Sequence, residues 1–529
     1  MIRTFLLSIL LAFSFNLIAQ NYTPDWESLD TRPVPDWFSD AKFGIFVHWG
    51  LFSVPAYRPY AVDEYGYEKK ENANSEWYLP EVMYRPEANA DFHKKAYGEN
   101  FSYFDFQNQF KAELFNPIEW VDLFKNAGAQ YVIMTAKPSD GYALWPSKEK
   151  YSKGWNAGET GPKRDLVGEM TNAVKEAGLH TGLYYSFMEF WTTKTNTWPM
   201  ESSLRNGYYV PRTVWEQHSI SDSAFTERIH FQTKELINNY KPEIFWTDGE
   251  LDYKGKDIKA KELLAWIYNE APNKEWIVVN DRWEQGSRGN HGGFYSLGYG
   301  NTNEPASKSK IREVSIPMGY SYGYNRVEKL NDYKSINEIL ITMVRTIAKG
   351  ENFLLAIGAL ADGTIPMITE QKLSEISKWM KKNRGAIIES DRYIPEAPLW
   401  TINPQAGENI LFTHDDKYIY VILTDWTTDF LNLKNFEIGE YSNAVFIDTG
   451  EELEIDFNKT SFVISLPEDR NEKVCIIRLE SIDEKVKNEK VKKVKKTKPS
   501  NQPPDKGQGK GSGSGGGRGS GGGMKGGGF

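Results

Sequence analysis

This chain of 529 residues has one cysteine, Cys475, so no intramolecular disulfide can hold it together. The neighbours of Cys475 in KVCIIRLE are apolar and strand-like, which predicts a buried structural thiol rather than a nucleophile. Beyond residue 20 no apolar run reaches the roughly 18 residues that a membrane span requires. Phosphate-binding glycine loops, zinc-ligand spacings and the Gly-x-Ser-x-Gly elbow are all absent. A net charge of −9 gives no general attraction to nucleic acid, and neither a metal nor a cofactor is expected.

Aromatic residues are plentiful. They make up 14% of the chain, with 17 Trp and 29 Tyr, side chains that pair a flat apolar face with a polar tip. Such a set suits stacking on sugar rings, and it suits an aromatic-rich core equally well. The first 20 residues, MIRTFLLSILLAFSFNLIAQ, combine one Arg with an apolar stretch and read as a secretory signal peptide. This predicts a periplasmic or secreted protein with no membrane span once the signal is removed, an uncleaved anchor being the alternative. No Cys follows the apolar stretch, so lipid attachment through a thiol there is excluded.

From about residue 42 to 390, within a domain taken as 21–390, short apolar runs alternate with amphipathic stretches. KFGIFVHWG, QYVIMTA, HTGLYYSFM, EIFWTDG, WIVVND, REVSI and NFLLAIG read as strands. Helical patterns cover 116–128, 166–178, 224–240, 260–271, 336–350 and 370–385. The alternation predicts an α/β fold, a (β/α)8-like catalytic barrel. From 396 to 480 strands follow one another without helices, predicting a small antiparallel β-sandwich. Residues 481–529 form a basic, Gly-rich tail expected to be disordered: 484–498 carry eight Lys against two Glu, and 501–529 contain 14 Gly. A polyanion such as a sulfated polysaccharide is one partner for it, a solvated tail the plainer reading.

In such barrels the active site gathers at the C-terminal ends of the strands. The residues closing the apolar runs are His48, Trp49 and Gly50; Lys137 to Tyr142; Tyr184, Tyr185 and Glu189; Trp246, Asp248 and Glu250; Asn280 to Trp283; and Glu313 on IREVSIP. Convergent carboxyl groups and aromatics point to a hydrolase acting on a sugar, for which two carboxyl groups flanking the glycosidic bond are the minimum equipment. Asp248 is the better nucleophile candidate, although an Asp before Gly can also simply turn the chain. Trp246 can be a sugar platform or plain core.

FGIFVHWGLFSVPAY, SEWY, AGAQYVIMTAKPSDGYALWPS, GLYYS, FWTDGE, VVNDRW, NHGGFY, YSYGYN and NFLLAIGALADGTIP, in this order, resemble the α-L-fucosidases of glycoside hydrolase family 29. The resemblance covers about residues 25–480. It implies retaining, metal-independent exo-hydrolysis with Asp248 as nucleophile. It also implies a sugar pocket lined by His48, Trp77, Trp246 and Arg282, with Tyr184 or Tyr185 beside them. The family's acid/base matches Glu313, although Arg312 stands where the family has Trp; Glu304 and His291 are the other candidates. Where most of the family has Lys-His-His-Asp-Gly-Phe, this chain has Lys137-Pro138-Ser139-Asp140-Gly141-Tyr142. Ser139 is then the residue left to meet the sugar hydroxyls, and the vacated volume suggests a modified glycone. Sulfated fucose, held by Lys137, Arg58 or Arg312, and L-galactose are the two possibilities. A non-catalytic carbohydrate-binding relative and an endo-acting fucan hydrolase are the competing readings.

Overall fold

The computed structural model describes residues 21–63, 65, 67–71, 73–84, 86–190, 220–250, 255–298, 311–392, 409–426, 428–434, 441–458, 461–468 and 474–481. Residues 1–20, read above as a signal peptide, Glu304 and the Gly-rich tail lie outside them.

Each of the seven apolar runs forms a strand: β1 (Phe43–His48), β2 (Tyr131–Lys137), β3 (His180–Ser186), β4 (Ile244–Asp248), β5 (Val278–Val279), β7 (Arg312–Pro317) and β8 (Asn352–Gly358). The remaining strand, β6 (Tyr295–Gly298), sits in GGFYSLG, too short and glycine-rich to stand out as an apolar run. All pairings are parallel, in the order β5-β4-β3-β2-β1-β8-β7-β6. The sheet curls until its edges meet: Phe294 N–H donates to Val279 O at 3.0 Å just before β6 begins. Gly293 permits this seam, because a Cβ there would lie 1.9 Å from the same carbonyl oxygen.

Six helices pack outside: α1 (Pro117–Asn126), α2 (Leu166–Glu176), α3 (Asp222–Tyr240), α4 (Ala260–Glu270), α5 (Ile336–Ala348) and α6 (Met367–Ile387). Their starts are written in the sequence. Asn116, Asp165, Ser221 and Ser335 each accept a backbone N–H of the first turn, and Glu338 completes a capping box with Ser335.

Strand alternation separates two apolar layers. Phe46, Tyr131, Ile133, Tyr184, Trp246, Leu354 and Ala356 fill the barrel interior. Ile45, Val47, Val132, Met134, Leu183, Tyr185, Phe245 and Leu355 face the helices. At Ala136 the rule breaks. The pairing of β2 with β3 slips between Thr135 and Lys137, so Lys137 pairs with Tyr185, which faces outward. The extra residue turns Lys137 away from the barrel mouth.

The C-terminal region forms a six-stranded antiparallel sheet, β9-β10-β11-β17-β13-β14, and a three-stranded one, β12-β16-β15. The ranges are β9 (Asp391–Arg392), β10 (Ile410–His414), β11 (Tyr418–Leu423), β12 (Phe430–Lys434), β13 (Tyr441–Phe446), β14 (Glu451–Leu453), β15 (Ile455–Asn458), β16 (Ser461–Ser465) and β17 (Cys475–Ser481). The continuous run ELEIDF divides between the two sheets, Glu454 standing between β14 and β15. Strand β11 is two-faced: Ile419, Val421 and Leu423 enter the sandwich core, while Tyr420 and Ile422 join the barrel's outer core. Cys475 is fully buried in the sandwich core, as its neighbours predict.

Gly293→Ala is expected to destabilise the protein by about 1–3 kcal/mol through overpacking at the seam. Gly385→Ala, in α6 where the nearest atom to a new Cβ is 3.6 Å away, should be neutral or stabilising. Urea unfolding of the two variants measures the contrast, and equal stability would contradict the role given to the seam.

Candidate active site

Asp248 ends β4 two residues beyond Trp246, on the inward face of the strand. Arg282 follows β5 and donates through Nη1 to Asp248 Oδ1 at 2.8 Å. Tyr184 O–H donates to Asp248 Oδ2 at 3.2 Å, and in the β3–β4 register Tyr184 lies beside Trp246. Burial works against the ionised carboxylate. The charges of Arg282 and Arg288 and the backbone N–H of Gly249 outweigh it, and Asp248 is held below the usual carboxylate range.

Arg282 is itself fixed from several sides. Its Nε donates to Ser296 Oγ at 2.7 Å, its guanidinium lies 4.6 Å over the Trp246 ring, and its carbonyl accepts from Thr247 Oγ1 at 2.6 Å. Asp281 accepts from Ser296 Oγ at 2.7 Å, which orients that hydroxyl.

His48 closes β1. Its ring lies 4.2 Å from Phe46, 5.1 Å from Tyr322 and 6.0 Å from Tyr184 between centroids. Burial pushes the imidazole down to about 4, so it is neutral at ordinary pH, and its Nδ1 has no hydrogen-bond partner among the described residues. Ser139 is half-buried, with Oγ 2.9 Å from Ser186 Oγ, and Ser186 is the register neighbour of Asp248. Its carbonyl accepts from Phe190 N–H, and the Phe190 ring lies 5.2 Å from that of Trp77. The structure thus brings Asp248, Arg282, Trp246, Tyr184, His48 and Ser139 to one mouth, with Trp77 on its wall.

Other expected residues fall elsewhere. Tyr185 is on the outward face and donates to Gln232 of α3 at 2.8 Å, so of the two tyrosines only Tyr184 reaches the mouth. Glu313 is the second residue of β7, paired with the first residue of β8, whereas Asp248 is the last residue of β4. Its side chain points inward from the N-terminal end of its strand and is fully buried. Oε1 accepts from Trp246 Nε1–H at 2.9 Å and Oε2 from Tyr131 O–H at 2.8 Å. A carboxyl group shut below Trp246 has no path to a leaving-group oxygen, which removes the geometric basis for Glu313 as acid/base. His291 bonds Asp30 at 2.7 Å and stacks on Trp26, which ties it to the N-terminal segment. Lys137 is fully buried, ion-paired with Glu189 and 4.3 Å from the Tyr185 ring; Arg312 pairs with Glu351 at 3.1 Å. Neither cation is placed to hold a sulfate at the mouth.

Much of the polar crowd after β2 is a structural bolt. Glu189 also binds Arg228 of α3 at 3.0 Å, Asp140 accepts from Tyr103 at 2.6 Å, and Trp145 and Ser147 both donate to Glu235 of α3.

The strand-end criterion passes over Glu76, which lies in the connection from β1 to α1, in the quoted motif SEWY. It is half-buried in the turn Ser75–Trp77 and accepts from Gly323 N–H at 3.1 Å. The turn is locked to the loop after β7: Ser75 N–H donates to Ser321 Oγ at 3.0 Å, and Asn325 Nδ2 to Ala73 O at 2.9 Å. Gly358 lets that loop close down on β8, since a Cβ there would meet Tyr324 N at 1.8 Å. Burial pushes Glu76 up to about 7; its own and Gly323's backbone N–H groups and the charge of Arg58 oppose the rise, and the charge of Asp248 adds to it. Glu250, also near Asp248, is fully buried and ion-paired with Arg288 at 2.5 Å.

An aspartate held below the usual carboxylate range beneath stacked rings, with the carboxyl groups of Glu76 and Glu250 raised by burial and by its charge, equips a parallel barrel for glycoside hydrolysis. The sequence model of the Alpha-L-fucosidase family matches residues 10–385, and the chain belongs to that family of glycoside hydrolases. It is 36% identical over 425 residues to tissue alpha-L-fucosidase of Rattus norvegicus, covering 78% of this chain and 81% of that protein. It is likewise 36% identical over 373 residues to alpha-L-fucosidase of Dictyostelium discoideum, covering 70% and 75%. The crystal structure of Thermotoga maritima alpha-fucosidase in complex with fucose superposes with a TM-score of 0.68 at 32% identity, covering 87% of this chain and all (100%) of that one.

Proposed function

We propose that this fucosidase is exported and acts by retention on the terminal residue of a glycan or fucan-type polysaccharide, with Asp248 as nucleophile and Glu76 as acid/base. The observation that carries the reading is the divergence of two nearby carboxyl groups: Asp248 is held low by Arg282 and Glu76 is raised to about 7. Asp248 attacks the anomeric carbon and the glycosidic bond breaks, while Glu76 gives its proton to the departing oxygen. Glu76 then takes a proton from the water that releases the sugar from Asp248. Ser139 Oγ and the partly exposed His48 ring are placed to meet sugar hydroxyls, and Trp246, Tyr184 and Trp77 supply ring faces.

The glycone is fucose or a fucose carrying an added group such as sulfate. Pro138 and Ser139 are small, and of the three cations considered for a sulfate, Arg58 is the one left once Lys137 and Arg312 are set aside, its charge acting on Glu76. Export rests on the pattern of residues 1–20, and the mass of the mature protein, expected to lack them, checks it.

A panel of aryl α-L-fucoside, aryl α-L-galactoside and sulfated fucan oligosaccharides tests specificity. Turnover of a fucoside, lost by at least about 10³-fold in Asp248→Ala, is expected. Preference for the galactoside would reassign the glycone, and no turnover of any substrate by the intact protein would favour a binding protein.

Because Asp248 must be ionised and Glu76 protonated, kcat/KM should be bell-shaped, with activity lost as pH rises through about 7. Glu76→Gln should abolish the alkaline limb and slow substrates with poor leaving groups most. An unchanged limb would assign the proton to another group.

A further inference from the structure

A carboxyl group sealed in the barrel interior is costly, and an apolar residue of similar size would fill the same space without that cost. Glu313 is such a group, and catalysis as proposed above does not use it. Its surroundings form a continuous column across the barrel. Tyr131 O–H donates to Oε2 at 2.8 Å, Trp246 Nε1–H donates to Oε1 at 2.9 Å, the Trp246 ring lies 4.6 Å beneath the Arg282 guanidinium, and Arg282 Nη1 donates to Asp248 at 2.8 Å. The sequence makes room for this column. Gly44 of β1 is where the Tyr131 ring lies, since a Cβ there would fall 2.2 Å from it.

We propose that Glu313 is a positioning residue: its two accepted hydrogen bonds fix the Trp246 indole, and the indole fixes Arg282 against Asp248. The argument rests on the fucosidase reading. Packing against Phe46 and Tyr184 confines the Trp246 ring, and its one polar atom, the N–H, selects among the orientations that this packing admits. With an acceptor at 2.9 Å the ring is held in one rotamer, so its face is presented upward to Arg282. Without the acceptor the N–H is left buried and unpaired, the ring turns to relieve it, and the guanidinium loses its platform. The nucleophile then loses the group that keeps it ionised and oriented, although no atom of Glu313 touches substrate.

Glu313→Ala and Glu313→Gln, assayed with aryl α-L-fucosides of good and poor leaving groups, separate the possibilities. Gln keeps a carbonyl for the indole N–H and an amide N–H for the Tyr131 oxygen. The expected result is a fall in kcat of about tenfold or more in Glu313→Ala, equal for both leaving groups and not restored by azide, with most of the activity recovered in Glu313→Gln. Trp246→Phe removes the N–H from the other side. It should show the same loss, with no further loss when combined with Glu313→Gln, and it stands as the test if the alanine variant fails to fold. A loss confined to poor leaving groups, or rescue by azide, would overturn the proposal by making Glu313 the acid/base. Wild-type kcat in both Glu313 variants would overturn it by making Glu313 simple filling. Absence of fucoside turnover by the intact protein would instead sink the functional reading on which the proposal rests.

Discussion

The Arg282 guanidinium is the contact on which the rest of the mouth depends. It follows the shortest barrel strand, yet it binds the last residue of β4, a hydroxyl from β6 and the face of an indole two residues inside β4. The hydrogen bonds and neighbouring carboxylates of this cation offset the cost of its desolvation, and its field lets the neighbouring aspartate remain charged in a largely buried site. The seam between β5 and the lead-in to β6 matters for the same reason. Arg282 and Ser296 sit on its two sides, so the closure of the barrel and the ionisation of Asp248 are one geometric condition.

Around that centre the mouth is assembled from pieces far apart in the chain. The Ser75–Trp77 turn and the loop after β7 interlock through side chain to backbone bonds, and Gly358 admits the loop close to β8. The C-terminal sheets support the barrel from outside, because β11 and β17 alternate their side chains between two cores. Neither core is complete without these strands.

Much of this was legible in the residues. The seven apolar runs, the capped helices and the change to strands after residue 390 follow from periodicity and turn chemistry. The resemblance drew attention to Asp248, Arg282, His48 and Trp246, which the fold brings together. What escaped had identifiable causes. Strand β6 hides because glycines required by the seam interrupt its apolar pattern. Glu76 escapes because it belongs to a long connection rather than a strand end. The choice between Tyr184 and Tyr185 needed the phase of β3, which only the packing of its neighbours supplies. Glu313 shows the limit of reading letters by type: a Glu-Val pair on a strand gives no sign of which end of the barrel the carboxyl group will occupy.

The slip in register at Ala136 reaches beyond local geometry. Counting alternate residues from Tyr131 would bring an ammonium to the barrel opening, but the additional backbone unit sends Lys137 outward to Glu189, beneath the helices. The electrostatic character of this side of the opening is therefore decided by how many peptide units the strand contains, not by which side chain is encoded there. Two related chains can carry the same lysine in the same aligned column and still present opposite environments to a ligand, so specificity on this fold can change through the length of a strand end while every letter of its motif is kept.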